Sequence, residues 1–247
     1  MNKLNFRVNL NLLIVAIGLA YFSSSCSVSQ KYVKEAARWE KNIQKFDSLN
    51  QAEKYPDDAM LFTGSSSITI WKSIAEDMAP YQVIHRGFGG SKFSDLAVYI
   101  DRIAYPHKLK GIVIFEANDI TGSKNDKTPQ ENVELFRYIV KKIRKKFEET
   151  PIFLIEITPT KLRWAVWPKI KETNLLLKQT CESLPHVYFI DTAASYLNEK
   201  GEPRTELTQA DNLHQNRDGY LIWMKLIKDK LNQVFATTEK KTVNSNR

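Results

Sequence analysis

The stretch Gly111-Ile112-Val113-Ile114-Phe115 is apolar at every position after its glycine and rich in β-branched side chains. A run of this length and composition is typical of a β-strand that is buried on both faces, as in a parallel sheet covered by helices. Helical patterns flank this run. Residues 93–105 precede it, ahead of Pro106, and Pro129 opens a pattern that continues to Phe147. The centre of the chain therefore predicts a buried strand between two helices.

The same alternation continues toward both ends of the chain. Further strand-like segments lie at residues 59–63, 81–85, 151–157 and 187–190, and helical patterns lie at 31–49, 68–78, 168–184 and 219–235. Strands that alternate with helices at this spacing favour a parallel sheet with helices on both faces. About five strands predict an α/β fold with a flavodoxin-like, doubly wound sheet, in which functional sites lie beyond the carboxyl ends of the strands.

The N-terminus has the pattern of a bacterial signal peptide over residues 1–25. A basic start with Lys3 and Arg7 precedes an apolar stretch, Leu10 to Phe22, and a small-residue junction, Ser23-Ser24-Ser25-Cys26. The apolar stretch is short for a membrane span. A cysteine directly after small residues resembles the site at which bacterial lipoproteins are cleaved and lipidated, so we expect a lipid anchor on Cys26. An ordinary signal peptide with an incidental cysteine is the alternative.

The remaining chain predicts a tether over residues 26–35, one domain over 36–236 and a disordered tail over 237–247. A lipid-anchored protein of this kind would belong to the bacterial cell envelope. We expect it to face the periplasm, since Ser27 to Gln30 has no acidic run of the kind associated with surface export. The only cysteine besides Cys26 is Cys181, which lies in a helical, apolar pattern and predicts a buried, inert thiol.

The net charge of +8 raises the question of a nucleic-acid partner. The positive charge comes largely from the lysines of the first helical pattern, of the run Lys141-Lys142-Ile143-Arg144-Lys145-Lys146 and of the tail. That run lies on an amphipathic helical pattern and lacks the interleaved aromatic residues of a single-strand binder. A solvated helix face explains this run better, so no nucleic-acid partner is expected. For a lipid-anchored protein, the charge would favour an anionic membrane surface.

Four short motifs fall where a predicted strand gives way to a loop. In chain order they are Gly64-Ser65-Ser66-Ser67, Gly87-Phe88-Gly89-Gly90, Asn118-Asp119 and Asp211-Asn212-Leu213-His214. Together they supply a hydroxyl nucleophile, a glycine backbone amide, a side-chain amide and an imidazole with a carboxylate three residues before it. These groups suffice for acyl transfer through a serine ester. Each motif alone is also a common local structure, namely a helix N-cap, a flexible loop, a turn and a helix-entry loop.

The ordered set resembles the SGNH (GDSL-type) hydrolases, and is closest to the acylhydrolases of Bacteroidetes-type lipoproteins. The resemblance implies that Ser66 is the nucleophile, and that the oxyanion is bound by the backbone amides of Ser66 and Gly90 and by the side-chain amide of Asn118. Two positions depart from the family pattern. Ser65 replaces an aspartate that does not attack the substrate, and Glu116 replaces a glycine two residues before the oxyanion asparagine.

The resemblance also assigns the remaining two catalytic residues. His214 would be the general base, oriented by Asp211, because the family carries a D-x-x-H motif at this place. This implies a serine esterase that works through an acyl-enzyme, without a metal or other cofactor. The expected substrate is a small-molecule or polysaccharide ester, with a short acyl (acetyl) group on a carbohydrate. Alternatives are a lysophospholipase or lipid acylhydrolase, and a catalytically silent carbohydrate-binding protein on the same fold.

Three residues after the fourth predicted strand are candidates for substrate binding. Arg163, Trp164 and Trp167 follow that strand, so they should lie on the same rim of the sheet as the four motifs. Tryptophan faces beside an esterase cleft would suit a sugar or another flat-faced substrate. Packing in the core or rim is the alternative role for these side chains.

Overall fold

The computed structural model describes residues 30–245, and these residues fold around a parallel β-sheet. Its strand order is β2-β1-β3-β4-β5. The strands are β1 (Ala59–Gly64), β2 (Val83–Gly87), β3 (Leu109–Phe115), β4 (Ile152–Ile155) and β5 (Val187–Ile190). Every neighbouring pair is parallel. The order and direction of the strands confirm the predicted α/β fold with a doubly wound sheet.

Helices connect the strands and cover both faces of the sheet. They are α1 (residues 30–36), α2 (Glu40–Ala52), α3 (Ser66–Thr69), α4 (Ile74–Asp77), α5 (Phe93–Ala104), α6 (Pro129–Arg144), α7 (Trp167–Glu182) and α8 (Arg217–Ser245). Short 3-10 turns lie at Ala37–Trp39, Trp164–Val166, Ala193–Tyr196 and Thr205–Leu207. Helix α6 has a capping box at Thr128 and Glu131, with a proline in its first turn, as the sequence predicts.

Strand β3 shows how both faces of the sheet are buried. Ile112 and Ile114 belong to one cluster of buried apolar side chains, which includes residues of α2, α5 and α6. Val113 and Phe115 belong to a second cluster on the opposite face, which includes α8. The Phe115 ring packs edge-on against Trp223 with their centroids 4.7 Å apart. This two-sided burial explains why the strand is apolar throughout.

The structure differs from the predicted elements at one internal helix. The pattern at residues 68–78 predicts one helix, but the chain forms the short helices α3 and α4 with a non-helical link between them. Trp71 lies in this link and is completely buried, stacked on Tyr220 with centroids 5.0 Å apart. Burial of the large indole between the sheet and α8 explains the interruption.

The two ends of the domain also extend beyond the predicted limits. Residues 30–36 are helical, and Tyr32 joins the core cluster together with Ala36, one helical turn later. Residues 30–35 of the segment predicted as a tether are therefore helical and belong to the packed domain. Helix α8 continues to Ser245, into the segment predicted as a disordered tail. The sequence after Tyr220 contains no glycine or proline up to that residue, so nothing in it ends the helix.

The predicted signal peptide of residues 1–25 and the proposed lipidation site Cys26 lie outside the described residues. Within residues 30–245, no helix has the length and apolar character that a membrane crossing requires. Cys181 is a free, buried thiol, as the sequence predicts, and burial raises its pKa to about 12. A thiol with so high a pKa is a poor nucleophile at neutral pH.

The buried carboxylate of Asp77 links helix α4 to the start of α8 through hydrogen bonds. Asp77 accepts hydrogen bonds from the Trp71 indole at 2.6 Å, from Ser73 Oγ at 2.7 Å, and from the Arg217 guanidinium at 2.6 and 2.7 Å. Burial alone would raise the pKa of Asp77. The bonds from Arg217, Ser73 and Trp71 outweigh burial and lower the pKa from 3.8 to about 2.

We expect Asp77→Asn to lower the free energy of unfolding by about 2 kcal/mol at pH 7. The folded pKa lies below the unfolded one, so this stabilisation is complete above about pH 4 and is lost as the pH falls toward about 2. The melting temperatures of Asp77→Asn and the parent should therefore differ at pH 7 and converge near pH 2. Asp229→Asn, which breaks an exposed pair with Lys225, is the control and should change little. A difference that persists unchanged at pH 2 would contradict this account.

Candidate active site

The carboxyl ends of the first three strands meet at one edge of the sheet. Gly64, the last residue of β1, pairs with Gly87 of β2 and with Phe115 of β3. The loops that follow these strands therefore begin side by side. This register brings the motifs after β1, β2 and β3 together, as parallel strands require.

The turn after β1 presents one serine to the cleft. Gly64 has φ +125°, and a Cβ at this position would lie 1.9 Å from the carbonyl oxygen of Phe115, so only glycine fits. Ser65 and Ser67 are buried at 1% and 8% exposure, whereas Ser66 is partly exposed at the start of α3. The Oγ of Ser66 lies 2.9 Å from Nε2 of His214. The local fold thus distinguishes Ser66 from its two neighbours.

His214 lies between Ser66 and a carboxylate. Its Nδ1 is 2.6 Å from Oδ2 of Asp211. The other oxygen, Oδ1, accepts hydrogen bonds from the backbone amides of Leu213 and His214, both at 3.0 Å. Burial acts to raise the pKa of Asp211, but hydrogen bonds from the His214 ring and the two amides lower it overall. The carboxylate is therefore held in its charged form, which keeps the proton of the imidazole on Nδ1 and leaves Nε2 as an acceptor facing Ser66.

No other histidine of the chain has this arrangement within the described residues. The ring of His85 donates from Nε2 to the carbonyl of Ile68 at 2.6 Å, and burial lowers its pKa. His107 is buried, which lowers its pKa to about 4. His186 lies just before β5, at the opposite end of that strand from the cleft. The histidine that the sequence favours is the one placed beside a serine.

Asn118 follows β3 and has its amide held at both ends. Its Nδ2 donates to the carbonyl of Ser91 at 2.9 Å, and its Oδ1 accepts from Nη2 of Arg163 at 2.5 Å. The other terminal nitrogen of Arg163, Nη1, donates to the carbonyl of Ala117 at 2.5 Å. These contacts fix which side of the amide is nitrogen, and one of its two N–H groups remains for a ligand in the cleft.

The loop after β2 passes close to the serine. A Cβ added at Gly89 would lie 3.7 Å from Cα and Cβ of Ser66. Gly90 is exposed and has φ +92°, a conformation that favours glycine, and a Cβ there would lie 3.4 Å from the ring of Trp39. The loop is thus near enough for a backbone amide to point toward Ser66, although Gly90 does not line the cavity described below.

Glu116, which stands where the family has glycine, is buried behind this loop at 1% exposure. Its carboxyl oxygens accept from the hydroxyl of Ser91 at 2.8 and 3.1 Å. Burial raises the pKa of Glu116 well above its ordinary value, and the nearby Asp119 raises it further. Ser91 therefore links Glu116 to Asn118, a connection that neither position reveals in the sequence.

Of the three predicted substrate-binding residues, one faces the cleft. Arg163 lines it, but its guanidinium is engaged with Asn118 and Ala117. Trp164 and Trp167 are not lining residues. Their rings stack on each other with centroids 5.9 Å apart and planes 15° from parallel. A substrate role for Trp164 and Trp167 stays a prediction.

The site lies in a cleft that opens to solvent. It is bounded by Ser66, Asn118 and His214, and its other walls come from the loops after β4 and β5. Within the described residues, no group of three His, Cys, Asp or Glu side chains is placed to hold a metal ion. The arrangement can activate a hydroxyl through a histidine and can donate a hydrogen bond from Asn118 to a nearby oxygen.

Comparison with known proteins agrees with this geometry. Residues 52–222 match the GDSL-like lipase/acylhydrolase family. No curated protein sequence matches the chain. Solved structures give the same fold, and three of them illustrate the range.

The first, from Streptococcus pneumonia, is provisionally described as a platelet activating factor; it has a TM-score of 0.70 and 23% identity, covering 82% of this chain and 99% of that one. A GDSL-like lipase from Bacteroides thetaiotaomicron has a TM-score of 0.66 and 15% identity, covering 78% and 98%. A carbohydrate esterase of family 3 from Talaromyces cellulolyticus has a TM-score of 0.58 and 14% identity, covering 73% and 99%. Because the family match spans most of the chain and the fold agrees, this chain belongs to the GDSL-like lipase/acylhydrolase family.

Proposed function

We propose that this chain is a serine ester hydrolase that removes a short acyl group, such as acetyl, from a carbohydrate through an acyl-enzyme. One observation carries the proposal, namely the continuous chain of contacts from Ser66 Oγ to His214 and on to Asp211. A catalytically silent binding protein would have no need for this alignment. The carbohydrate esterase among the structural neighbours supports the substrate class.

The geometry supports the following sequence of steps. His214 Nε2 takes the proton of Ser66 as its Oγ attacks the ester carbonyl. The oxyanion is bound by the side-chain amide of Asn118 and by the backbone amides of Ser66 and Gly90. His214 then gives its proton to the departing alcohol, which leaves an acyl group on Ser66. Water, activated by the same histidine, releases the acid and restores the enzyme.

The proposal is tested with p-nitrophenyl esters of increasing chain length, from acetate through butyrate and octanoate to laurate. We expect kcat/KM to be highest for acetate and to fall with chain length. A fluorescent alkyl phosphonate should label the protein on a peptide that contains Ser66. Highest activity on laurate would instead favour the alternative of a lipid acylhydrolase. No hydrolysis and no labelling would reject the proposal.

Arg163 is expected to act by positioning Asn118 rather than by binding substrate. Arg163→Met removes the bonds to Asn118 and Ala117, so the oxyanion donor loses its orientation. We expect kcat to fall about 10- to 100-fold with KM nearly unchanged, a smaller loss than removal of an oxyanion donor itself. Steady-state kinetics on p-nitrophenyl acetate measures both parameters.

Arg163→Lys and Lys178→Met serve as comparison variants for Arg163→Met. The lysine variant keeps one cation and should recover part of kcat, whereas Lys178 pairs with Asp191 at the surface and should not matter. A rise in KM with an unchanged kcat would show instead that Arg163 binds substrate, as the sequence predicts.

We further propose that Cys26 carries an N-terminal lipid that anchors the protein in the bacterial cell envelope, facing the periplasm. The support is the order of basic, apolar and small residues before Cys26. Mass spectrometry of the mature protein from membranes should find a lipid-modified Cys26 at the N-terminus, and Cys26→Ala should release the protein from membranes. An unmodified N-terminus at another residue would refute the anchor.

A further inference from the structure

Glu116 is a buried carboxyl group that the steps of the proposed reaction do not use. It directly follows β3, and both of its oxygens accept from the hydroxyl of Ser91, which is completely buried. Within the part of the chain that the structure describes, no other group donates a hydrogen bond to it. Burying a carboxyl group costs free energy that a single donor does not recover. An apolar side chain could fill the same space without that cost, so stability does not account for Glu116.

The surroundings of Glu116 favour its uncharged form. Burial raises the pKa of Glu116 well above its ordinary value, and the nearby carboxyl groups of Asp119 and Asp95 raise it further. The hydrogen bond from Ser91 acts in the opposite direction but does not outweigh them. What Glu116 supplies at this position is therefore a hydrogen-bond acceptor for Ser91, rather than a negative charge.

The backbone of Ser91 connects this acceptor to Asn118. The carbonyl oxygen of Ser91 accepts from Nδ2 of Asn118 at 2.9 Å, so the residue that contacts Glu116 also holds one end of the Asn118 amide. The guanidinium of Arg163 holds the other end, at Oδ1. The second N–H of Nδ2 points in a direction that follows from these two contacts. A shift of Ser91 would therefore turn the donor that remains for the cleft.

The hydroxyl of Ser91 is well placed to prevent such a shift. The backbone amide of Ser91 bonds only within its own loop, to the carbonyl of Phe88 at 3.1 Å. Two glycines directly precede Ser91, and glycines leave a loop conformationally free. Two residues later the amide of Phe93 donates to Asp119 at 2.8 Å, which fixes the start of α5. Besides the bond from Asn118 itself, the bond to Glu116 thus ties Ser91 to the segment after β3.

We propose that Glu116 is a positioning residue for ester hydrolysis, which acts through the hydroxyl of Ser91 to orient the side-chain amide of Asn118 toward the oxyanion. The inference rests on the proposed function, because the oxyanion forms only if Ser66 attacks an ester. Glu116 does not line the cleft, so it acts without touching the substrate. Better orientation of an oxyanion donor stabilises the transition state more than the bound ester, and so changes kcat more than KM.

The test compares two substitutions of similar size at position 116, with p-nitrophenyl acetate as the substrate. Glu116→Leu fills the space but cannot accept from Ser91, so kcat should fall about 10-fold with KM nearly unchanged. Glu116→Gln keeps an acceptor oxygen, so its kcat should stay within about threefold of the parent. Ser91→Ala removes the donor and should resemble Glu116→Leu. The double variant of Glu116→Leu with Ser91→Ala leaves no polar group of this pair unpaired, so it should fold and be as slow as either single variant.

Thr180→Val is the matched control for the loss of a buried hydroxyl. Thr180 is buried on α7 and does not line the cleft, and its hydroxyl donates to the carbonyl of Leu176 at 2.8 Å. Its melting temperature measures the effect of one lost hydroxyl bond on stability. Its kcat should equal that of the parent, because nothing in the site depends on this bond.

A second measurement determines whether Glu116 acts through Asn118. In a chain that already carries Asn118→Ala the amide is absent, so adding Glu116→Leu should lower kcat less than about twofold. A further loss of about 10-fold in that chain would overturn the inference, because Glu116 would then act independently of Asn118.

Three other results would overturn it as well. One is a kcat of Glu116→Leu and of the double variant that equals that of Thr180→Val, another is a rise in KM with an unchanged kcat, and the third is a Glu116→Gln variant as slow as Glu116→Leu. In each case hydrolysis of p-nitrophenyl acetate by the parent would leave the proposed function standing. If the parent hydrolyses no ester at all, the proposed function and this inference fail together.

Discussion

Ser66→Ala is expected to lower kcat for p-nitrophenyl acetate by about 10⁴- to 10⁶-fold, the range seen when a serine hydrolase loses its nucleophile. The Oγ of Ser66 contacts His214 Nε2, and the residue is partly exposed to the cleft, so its removal leaves the packing of β1 and α3 intact. The melting temperature should therefore change little. The measurements are a stopped or continuous ester assay and a thermal unfolding curve.

The neighbouring serines are the controls for the Ser66 substitution. Ser65 and Ser67 are buried, and the backbone carbonyl of Ser67 accepts from the hydroxyl of Tyr220 at 2.8 Å, which the change to alanine preserves. Ser65→Ala and Ser67→Ala should keep activity within about 10-fold of the parent. Loss of activity in either, with Ser66→Ala still active, would place the nucleophile elsewhere in the motif.

The second large effect is expected at the histidine and its carboxylate. His214→Ala should lower kcat about 10⁵-fold, because no other base contacts Ser66 among the described residues. Asp211→Ala should lower kcat about 10³- to 10⁴-fold through loss of the useful tautomer. The Asp211 side chain is 44% exposed, so water can partly replace its carboxylate. We therefore expect a loss of kcat nearer to about 10³-fold than to 10⁴-fold.

The double variant decides whether the two residues act as one unit. If Asp211 works only through His214, then Asp211→Ala with His214→Ala should be hardly slower than His214→Ala alone. Losses that multiply would show two independent roles.

A histidine base must also be neutral to accept a proton, so the activity of the parent should rise with pH from the acidic side. Activity that stays level as the pH is lowered, while the protein remains folded, would contradict general-base catalysis by histidine.

The sequence predicted the sheet because its strands are short, apolar and separated by helical patterns, signals that need no knowledge of distant contacts. It also placed Ser66 and Asn118 at strand ends, and parallel strands bring those ends together. The expectation that the motif of His214 directly follows a strand is wrong, because it lies in a long loop after β5, shortly before α8. By contrast, Glu116 and Ser91 meet across 25 residues and Arg163 reaches Asn118 across 45, through side-chain directions that no periodicity encodes.

Other features depended on tertiary packing and could not be predicted. The break between α3 and α4 follows from burial of Trp71 against Tyr220, far along the chain.

The contact between Ser66 and His214 joins residues 148 positions apart. During synthesis at about 5 to 20 residues per second, roughly 7 to 30 seconds separate the appearance of the nucleophile from that of its base. Throughout that interval Ser66 has no group to take its proton, so the growing chain cannot hydrolyse the esters it encounters. The capacity to hydrolyse esters therefore appears only after the loop that carries His214 has been synthesised and has packed beside Ser66.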